Sequence, residues 1–506
     1  MGTARRRETG EKMAVATGGN LDIAQAAQTR RAVSAAVIGN VLEWYDFSVY
    51  AFVAVIIARK FFPPGDEVTA LLSTFLAYGL GFVARPLGGI VLGAVGDSHG
   101  RKTALLITIA LMAIGTVMVG LLPIYASIGF AAPLLLVLAR LMQGFSAGGE
   151  WGSSTAYIVE WAPAEKRGLY GSFQQMSVVT GLLLGSAIAA LFNTVLTPEQ
   201  MDDWGWRVPF LLGGILGPVG LWMRRSIDET PHYTKAKAQP TVSTPVPAEG
   251  GPNAVVVRGL AAALTLLGVI GLIKSAYDWS TGSYEPMLLW SSLIVAVVGA
   301  GVLYASRDDE GAANVTMAGR AFGFTIVWTV CFYVLLSYMP TYTQKYVKIS
   351  ASAALWSNTI GLVVLTLCIP IMGAISDKWG RKPLLLICCV AYIILPYPIF
   401  SFLVSGASFT QLVLVQILFA ILISMFSGAG PAAIAEMFPT RTRSTWMTSG
   451  YALSVAIFGG FAPFISVWLI DRFASPLAHT FYLIAAAIVS TIVIAMMRET
   501  AHEPLG

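Results

Sequence analysis

The chain has 506 residues, of which 56% are hydrophobic and only 12% charged, and its mean hydropathy is +0.71. A soluble domain carries roughly twice that charge, so a soluble globular fold is excluded. The net charge of +5 does not signal nucleic acid, because the basic residues gather in alternate loops between apolar runs.

Residues 1–32 are polar and basic, with no apolar core and no small-residue cleavage site. Arg5, Arg6 and Arg7 resemble a twin-arginine signal, but no hydrophobic region follows at the right distance. We read 1–32 as a disordered cytosolic tail. Apolar runs then recur to residue 497, long enough to cross a membrane as helices that satisfy their own backbone groups. The first set is predicted near 33–58, 68–96, 103–123, 132–161, 168–195 and 206–224. A Pro-rich stretch over 231–253 reads as a cytosolic linker. Two further runs, about 255–273 and 287–304, predict an inserted transmembrane hairpin over 254–306, bracketed by Arg258 and Arg307. The second set follows near 318–344, 352–376, 383–404, 410–437, 446–470 and 477–497, giving fourteen spans; 498–506 is the C-terminal tail. Arg/Lys clusters at 30–31, 101–102, 166–167, 224–225, 378–382, 441–443 and 498 fall on one side, which places both termini in the cytosol. Cys331, Cys368, Cys388 and Cys389 all lie in apolar segments with no disulfide or metal spacing, so they read as small core residues.

The chain repeats itself. Gly93-Ala-Val-Gly-Asp-Ser-His-Gly-Arg-Lys102 returns as Gly373-Ala-Ile-Ser-Asp-Lys-Trp-Gly-Arg-Lys382, each copy after the second span of its set. A weaker pair runs from Glu160 to Arg167 and from Glu436 to Arg443. Two six-helix halves in parallel repeat form an all-α transporter architecture, with the substrate expected between them near the midplane. The Gly-x-x-x-Asp-x-x-Gly-Arg-Lys loop resembles the signature of the major facilitator superfamily. Gly39–Phe47, Arg85-Pro-Leu-Gly-Gly89, Gln143–Trp151 and Trp204–Phe210 are similar to its metabolite:proton symporters, whose substrates include 2-oxoglutarate, citrate, shikimate and proline/betaine. That resemblance implies the major facilitator fold of two six-helix bundles, in which the hairpin is an addition. It also implies that Asp97 with Arg101, and Asp377 with Arg381, act as inter-helix latches that gate the cytosolic side. The alternative for these pairs is simple positive-inside anchoring.

Glu43, Asp46 and Tyr50 recur at i, i+3 and i+7 and so share a helix face. Arg85, Arg140 and Glu150 also fall inside apolar spans. Each charge at the bilayer centre costs about 2.5–3.5 kcal/mol, so these five cost roughly 12–18 kcal/mol unless they face one another or a wet cavity. They either pin helices together or carry transport. A mid-span arginine can bind a carboxylate in a bidentate fork. A buried carboxylate can load a proton on one side and release it when an arginine or substrate approaches. Asp46, then Glu150 and Glu43, are the proton-coupling candidates. Arg85 and Arg140, with Tyr50, Gln174, Gln175, Tyr333, Tyr338 and Asn358, are the candidate substrate contacts.

Gly96-Asp-Ser-His-Gly100 matches a nucleophile elbow only by letter, since it joins two membrane spans and its repeat lacks the serine. No phosphate loop appears, and the four histidines show no metal spacing. The sequence therefore predicts a monomeric, non-enzymatic carrier without cofactor in a bacterial inner membrane. It would take up a small organic acid with protons and bind no nucleic acid. Proton symport of zwitterions such as proline or betaine, or a receptor that binds solute without moving it, are the alternatives.

Overall fold

The computed structural model describes residues 40–41, 43–99, 101–148, 150–225, 254–280, 286–438 and 440–503. The expected tail 1–32 and linker 231–253 lie outside them. Everything regular among the described residues is helical.

The first set comprises α1 (43–52, running on through Ala54–Phe61), α2 (Glu67–His99), α3 (Arg101–Leu121), α4 (Ala131–Ser146, running on through Glu150–Trp161), α5 (Arg167–Val195) and α6 (Val208–Arg225). Then come α7 (Ala254–Ser280) and α8 (Pro286–Ala305). The second set is α9 (Asp309–Phe332, extended through Val347), α10 (Ala351–Trp379), α11 (Arg381–Ile394 with Pro396–Val404), α12 (Phe409–Glu436), α13 (Thr440–Ser454, extended through Arg472) and α14 (Ala478–Met496). Eight helices among the described residues are long and apolar enough to cross a membrane, and α11, bent by 45°, makes nine. Two of the others, α1 and α4, are interrupted. Val53 leaves helical geometry in α1, and α4 breaks around Ala147, next to Gly148. The bend in α11 sits at Pro396 and Pro398, where proline removes a backbone donor and its ring crowds the preceding turn.

Each set packs on itself through close backbone contact at small residues. A Cβ on Gly144 of α4 would strike the Gly81 carbonyl of α2, and one on Gly148 would strike that of Arg85. These glycines fix α2 against α4, and hence Arg85 against Arg140. The outward faces are apolar, with Leu87, Leu134, Ile215, Leu367 and Ile492 all exposed, as lipid contact requires.

In the hairpin, Gly271 meets Ser292 and Gly299 meets Thr265. One index rises as the other falls, so α7 and α8 pack antiparallel. They touch the rest of the chain mainly near one end, where Arg258 Nε donates to the Ser306 carbonyl at 2.6 Å and Nη2 pairs with Asp309 at 3.0 Å. Only 6% of the apolar stretch of α7 is buried.

The two sets meet along α5 and α10, again antiparallel. Thr194 bonds Ser352 at 2.8 Å, Ser186 bonds Thr359 at 2.8 Å, and the Gly168 amide donates to Asp377 at 2.7 Å. These contacts span 26 residues of α5, about 39 Å of helix, so this seam is closed from face to face.

Candidate functional site

Three layers of side chains lie along the interface. On the face that carries the basic loops, Asp377 accepts the amides of Gly168 at 2.7 Å and Leu169 at 2.9 Å, across the two sets. Arg381 holds Asp377 at 2.8 Å and Glu436 at 3.2 Å. The carboxylate therefore caps the first turn of α5, where unsatisfied N–H groups favour negative charge. Close approach here needs small residues, since a Cβ on Gly168 would meet Ser376, Arg381 and the Gly373 carbonyl. The end of the chain covers this layer. Glu499 accepts the amides of Arg381 and Lys382, both at 2.9 Å; Thr500 donates to Glu436 at 2.7 Å; and Arg167 donates to the Glu503 carbonyl at 2.7 Å. Asp97 and Arg101, the matching pair of the first repeated loop, have side chains outside the described residues.

Midway lies a cavity of about 10 Å³ lined by Trp44, Gln175, Trp328, Thr329, Phe332, Tyr333 and Tyr451. That is room for roughly one water. Five of its seven walls are aromatic, drawn from both sets. Its floor is a ring pair that crosses the interface: Trp151 stacks on Tyr451 with centroids 3.4 Å apart and planes 4° apart. Its roof is Phe82 and Tyr78 against Tyr333, at 5.2 and 6.5 Å. Arg85 stands beside it, with its guanidinium 4.4 Å from the Phe82 ring, 4.6 Å from Phe47 and 5.3 Å from Trp44. Its Nη2 is 3.6 Å from Glu43, an ion pair too long to be a hydrogen bond. Nε and Nη2 of Arg85, both amide atoms of Gln174, Oε1 of Gln175 and the Tyr333 hydroxyl are buried without a hydrogen-bond partner among the described residues. Such atoms are costly to bury, and a polar ligand would satisfy them.

A second cluster lies wholly within the first set. Phe47 separates it from Arg85, since the Arg140 guanidinium is 4.8 Å from the same ring. Arg140 is fully buried, with Tyr50 and Tyr78 rings at 4.4 and 5.1 Å. It donates to Gln143 at 2.8 Å, which donates to Thr116 at 2.7 Å. Asp46 lies beside Thr116 and within electrostatic reach of Arg140, packed against Gly213. Tyr50 donates to the Thr74 carbonyl at 3.0 Å, so its hydroxyl is already engaged.

Of the sequence candidates, Arg85, Glu43, Gln175 and Tyr333 gather at the aromatic cavity, and Asp46, Arg140 and Tyr50 in the inner cluster. Tyr338 sits farther along α9 against Phe75, Tyr342 and His479. Asn358 donates to the Leu336 carbonyl at 3.2 Å and to Ser186 at 3.3 Å on the α5–α10 seam. The Glu150 side chain lies outside the described residues. Sequence reading missed Trp151, Trp328, Tyr451, Gln143 and Thr116. Gln143 and Trp151 stood inside a motif already singled out; the others gave no signal beyond an aromatic or hydroxyl residue in an apolar run.

The arrangement is that of a carrier, and comparison agrees. The model described as Sugar (and other) transporter matches residues 32–256, and that of the Major Facilitator Superfamily matches 321–505. A glycine betaine/proline/ectoine/pipecolic acid transporter of Dickeya dadantii is 31% identical over 477 residues, covering 94% of this chain and 84% of its own. The chain belongs to the major facilitator superfamily. It is a multi-pass secondary transporter of the metabolite:proton symporter group, which also holds the citrate-proton symporter of Klebsiella pneumoniae, 31% identical over 89% of this chain and 87% of its own. The partially occluded, inward-open xylose transporter of E. coli shares the fold, with a TM-score of 0.67 at 17% identity over 95% of this chain and all of that one.

Proposed function

We propose that this transporter carries a small carboxylate-bearing metabolite into the cell together with protons, by rocking two bundles about the aromatic cavity. The observation that carries the reading is Arg85: a buried guanidinium with two nitrogens that have no hydrogen-bond partner among the described residues, set beside the cavity with a long ion pair to Glu43. A carboxylate entering there would take the vacant nitrogens in a charge-assisted pair and loosen Glu43. Asp46, beside Thr116 and within electrostatic reach of Arg140, is the proton site, with Glu150 and Glu43 as its partners in coupling. Asp377 and Arg381 act as the inner gate, as do Asp97 and Arg101 in the other half. Both termini face the cytosol, the pair α7–α8 is an inserted membrane hairpin, and a single chain suffices. No step calls for catalysis or a cofactor.

The aromatic lining supports a narrower second reading, in which the carboxylate belongs to a zwitterion. Five aromatic walls suit an alkylated ammonium, each cation–π contact contributing about 0.5–2 kcal/mol. Proteoliposomes under an imposed pH gradient test both readings. Labelled betaine or proline, and separately citrate or 2-oxoglutarate, should accumulate only with the gradient and only with Arg85 intact. Accumulation of neither class, or uptake indifferent to the gradient, removes the proposal. Uptake confined to the di- and tricarboxylates removes the second reading alone.

A further inference from the structure

A second cavity lies away from the proposed transport site. It is a groove of about 210 Å³ lined by Thr316, Gly319, Arg320, Val493, Met496 and Met497. It lies between α9 and α14, which run antiparallel: Gly323 packs on Val493, and Ser490 donates to the Gly323 carbonyl at 2.7 Å. The groove is therefore at the basic-loop end of both helices, where the apolar run of α14 stops and Arg498 follows. Residues 311–347 form one continuous helical rod of 37 residues, about 55 Å long. A hydrocarbon core of ~30 Å takes only about 20 of them, so Arg320 falls near the membrane boundary and the preceding turns project beyond it.

The lining is amphipathic in a specific way. Val493, Met496 and Met497 form an apolar wall. Thr316 and Arg320 supply a hydroxyl and a cation. Arg320 is exposed and has no ion pair or hydrogen bond among the described residues. Lys382, outside the lining, holds the end of α14, with Nζ donating to the Ala495 and Met497 carbonyls at 2.7 and 2.8 Å, and adds positive charge on that side. The nearby Glu499 carboxylate is spent on the amides of Arg381, Lys382, Thr500 and Ala501.

We propose that this groove is a binding site for an anionic phospholipid, its phosphate on Arg320 and the start of an acyl chain along Val493 and Met496. A diester phosphate meets a guanidinium as a charge-assisted pair, and the apolar wall selects for a chain attached to it. Met496 and Met497 lie immediately before the segment that covers the Asp377–Arg381–Glu436 layer, so a lipid seated here also steadies that covering segment. The site stands apart from the solute site and does not depend on what is transported.

The test uses the whole protein purified in detergent and offered phosphatidylglycerol or phosphatidylcholine, with bound lipid counted by native mass spectrometry. Wild type should retain phosphatidylglycerol preferentially. Arg320→Gln should lower that retention by at least about tenfold. Gly319→Leu supplies an independent arm. A Cβ there meets nothing within 4 Å, so the helix tolerates it while the side chain fills the groove. It too should abolish the preference, with thermal stability unchanged. Inorganic phosphate at millimolar concentration should not displace the lipid. Retention equal to wild type in both variants, or displacement by phosphate alone, overturns the proposal.

Discussion

The two six-helix bundles share a fold and differ in what they bury. The first encloses Glu43, Asp46, Arg85 and Arg140 deep in its helices, the arginines packed on Phe47, Phe82, Tyr50 and Tyr78. At the same depth the second offers Trp328, Thr329, Tyr333 and Ser427, all neutral, and among its described residues the buried Asp377, Arg381, Glu436 and Arg443 lie at the basic end. Charges kept together in one bundle can compensate one another whichever way the other bundle rocks. The division places the mid-depth charges in one half and a neutral, aromatic lining in the other.

The sharpest way to break that division is Arg85→Ala. Removing the guanidinium from this buried ion pair costs about 3–5 kcal/mol, so uptake should fall at least a hundredfold in proteoliposomes. Arg85→Lys should recover only part, because the planar fork is lost. Uptake within twofold of wild type in Arg85→Ala would end the assignment. Next is Asp46→Asn, which should abolish accumulation driven by a pH gradient while solute exchange between loaded vesicles continues. Loss of both activities would make Asp46 a structural residue instead. Asp377→Asn tests the seam. Weakening its charge-assisted bonds to Gly168 and Leu169 costs about 1.5–3 kcal/mol. A cysteine at Ser172, set against a background lacking the native cysteines, should then label about tenfold faster with a maleimide. Tyr451→Leu removes the stack on Trp151, worth about 0.5–1.5 kcal/mol beyond area. It should raise KM for a zwitterion several-fold and leave a dicarboxylate almost unaffected.

The smallest effect belongs to Glu499. Burial pushes its carboxyl up, but the amides of Ala501, Arg381, Lys382 and Thr500 outweigh burial and hold its pKa below the ordinary 4.5. A lowered folded value stabilises the covering segment fully above the ordinary value, and that support is lost as pH falls through the lowered one. Solvent screening keeps the effect small. A spin label at His502→Cys should be immobile near neutrality and gain mobility only at pH well below 4.5. Equal mobility throughout would leave Glu499 no role in the anchoring.

Much of this was legible in the sequence because membrane burial makes charge conspicuous. Glu43, Asp46, Arg85 and Arg140 stood out against apolar runs, and the repeated loop marked Asp377 and Arg381. The repeat even contained Glu436, although not its bond to Arg381. Aromatic walls such as Trp328 and Tyr451 were not legible, since a tryptophan facing a cavity and one facing lipid look alike in an apolar run. Nor was the separation of Arg85 from Arg140 by the Phe47 ring, which depends on how α1 is rotated against α2 and α4. Nor was it legible which helices Gly144 and Gly148 bring together.

The wide turns of α9 carry a further consequence. Tyr333–Tyr338 and Thr343–Val347 are π-helical, as is Val455–Gly459 in α13. Each such turn holds one residue more than an α-helical turn of 3.6 residues. If one tightened, everything beyond it would swivel by about 100° and advance by about 1.5 Å without a single residue leaving the helix. Tyr333 begins the first of these turns, at the wall of the cavity. A tightening at that turn would rotate the Tyr333 hydroxyl relative to the cavity. Deleting one residue within 334–337 should lock one setting, and a carrier that still cycled at the normal rate would show that the slack is unused.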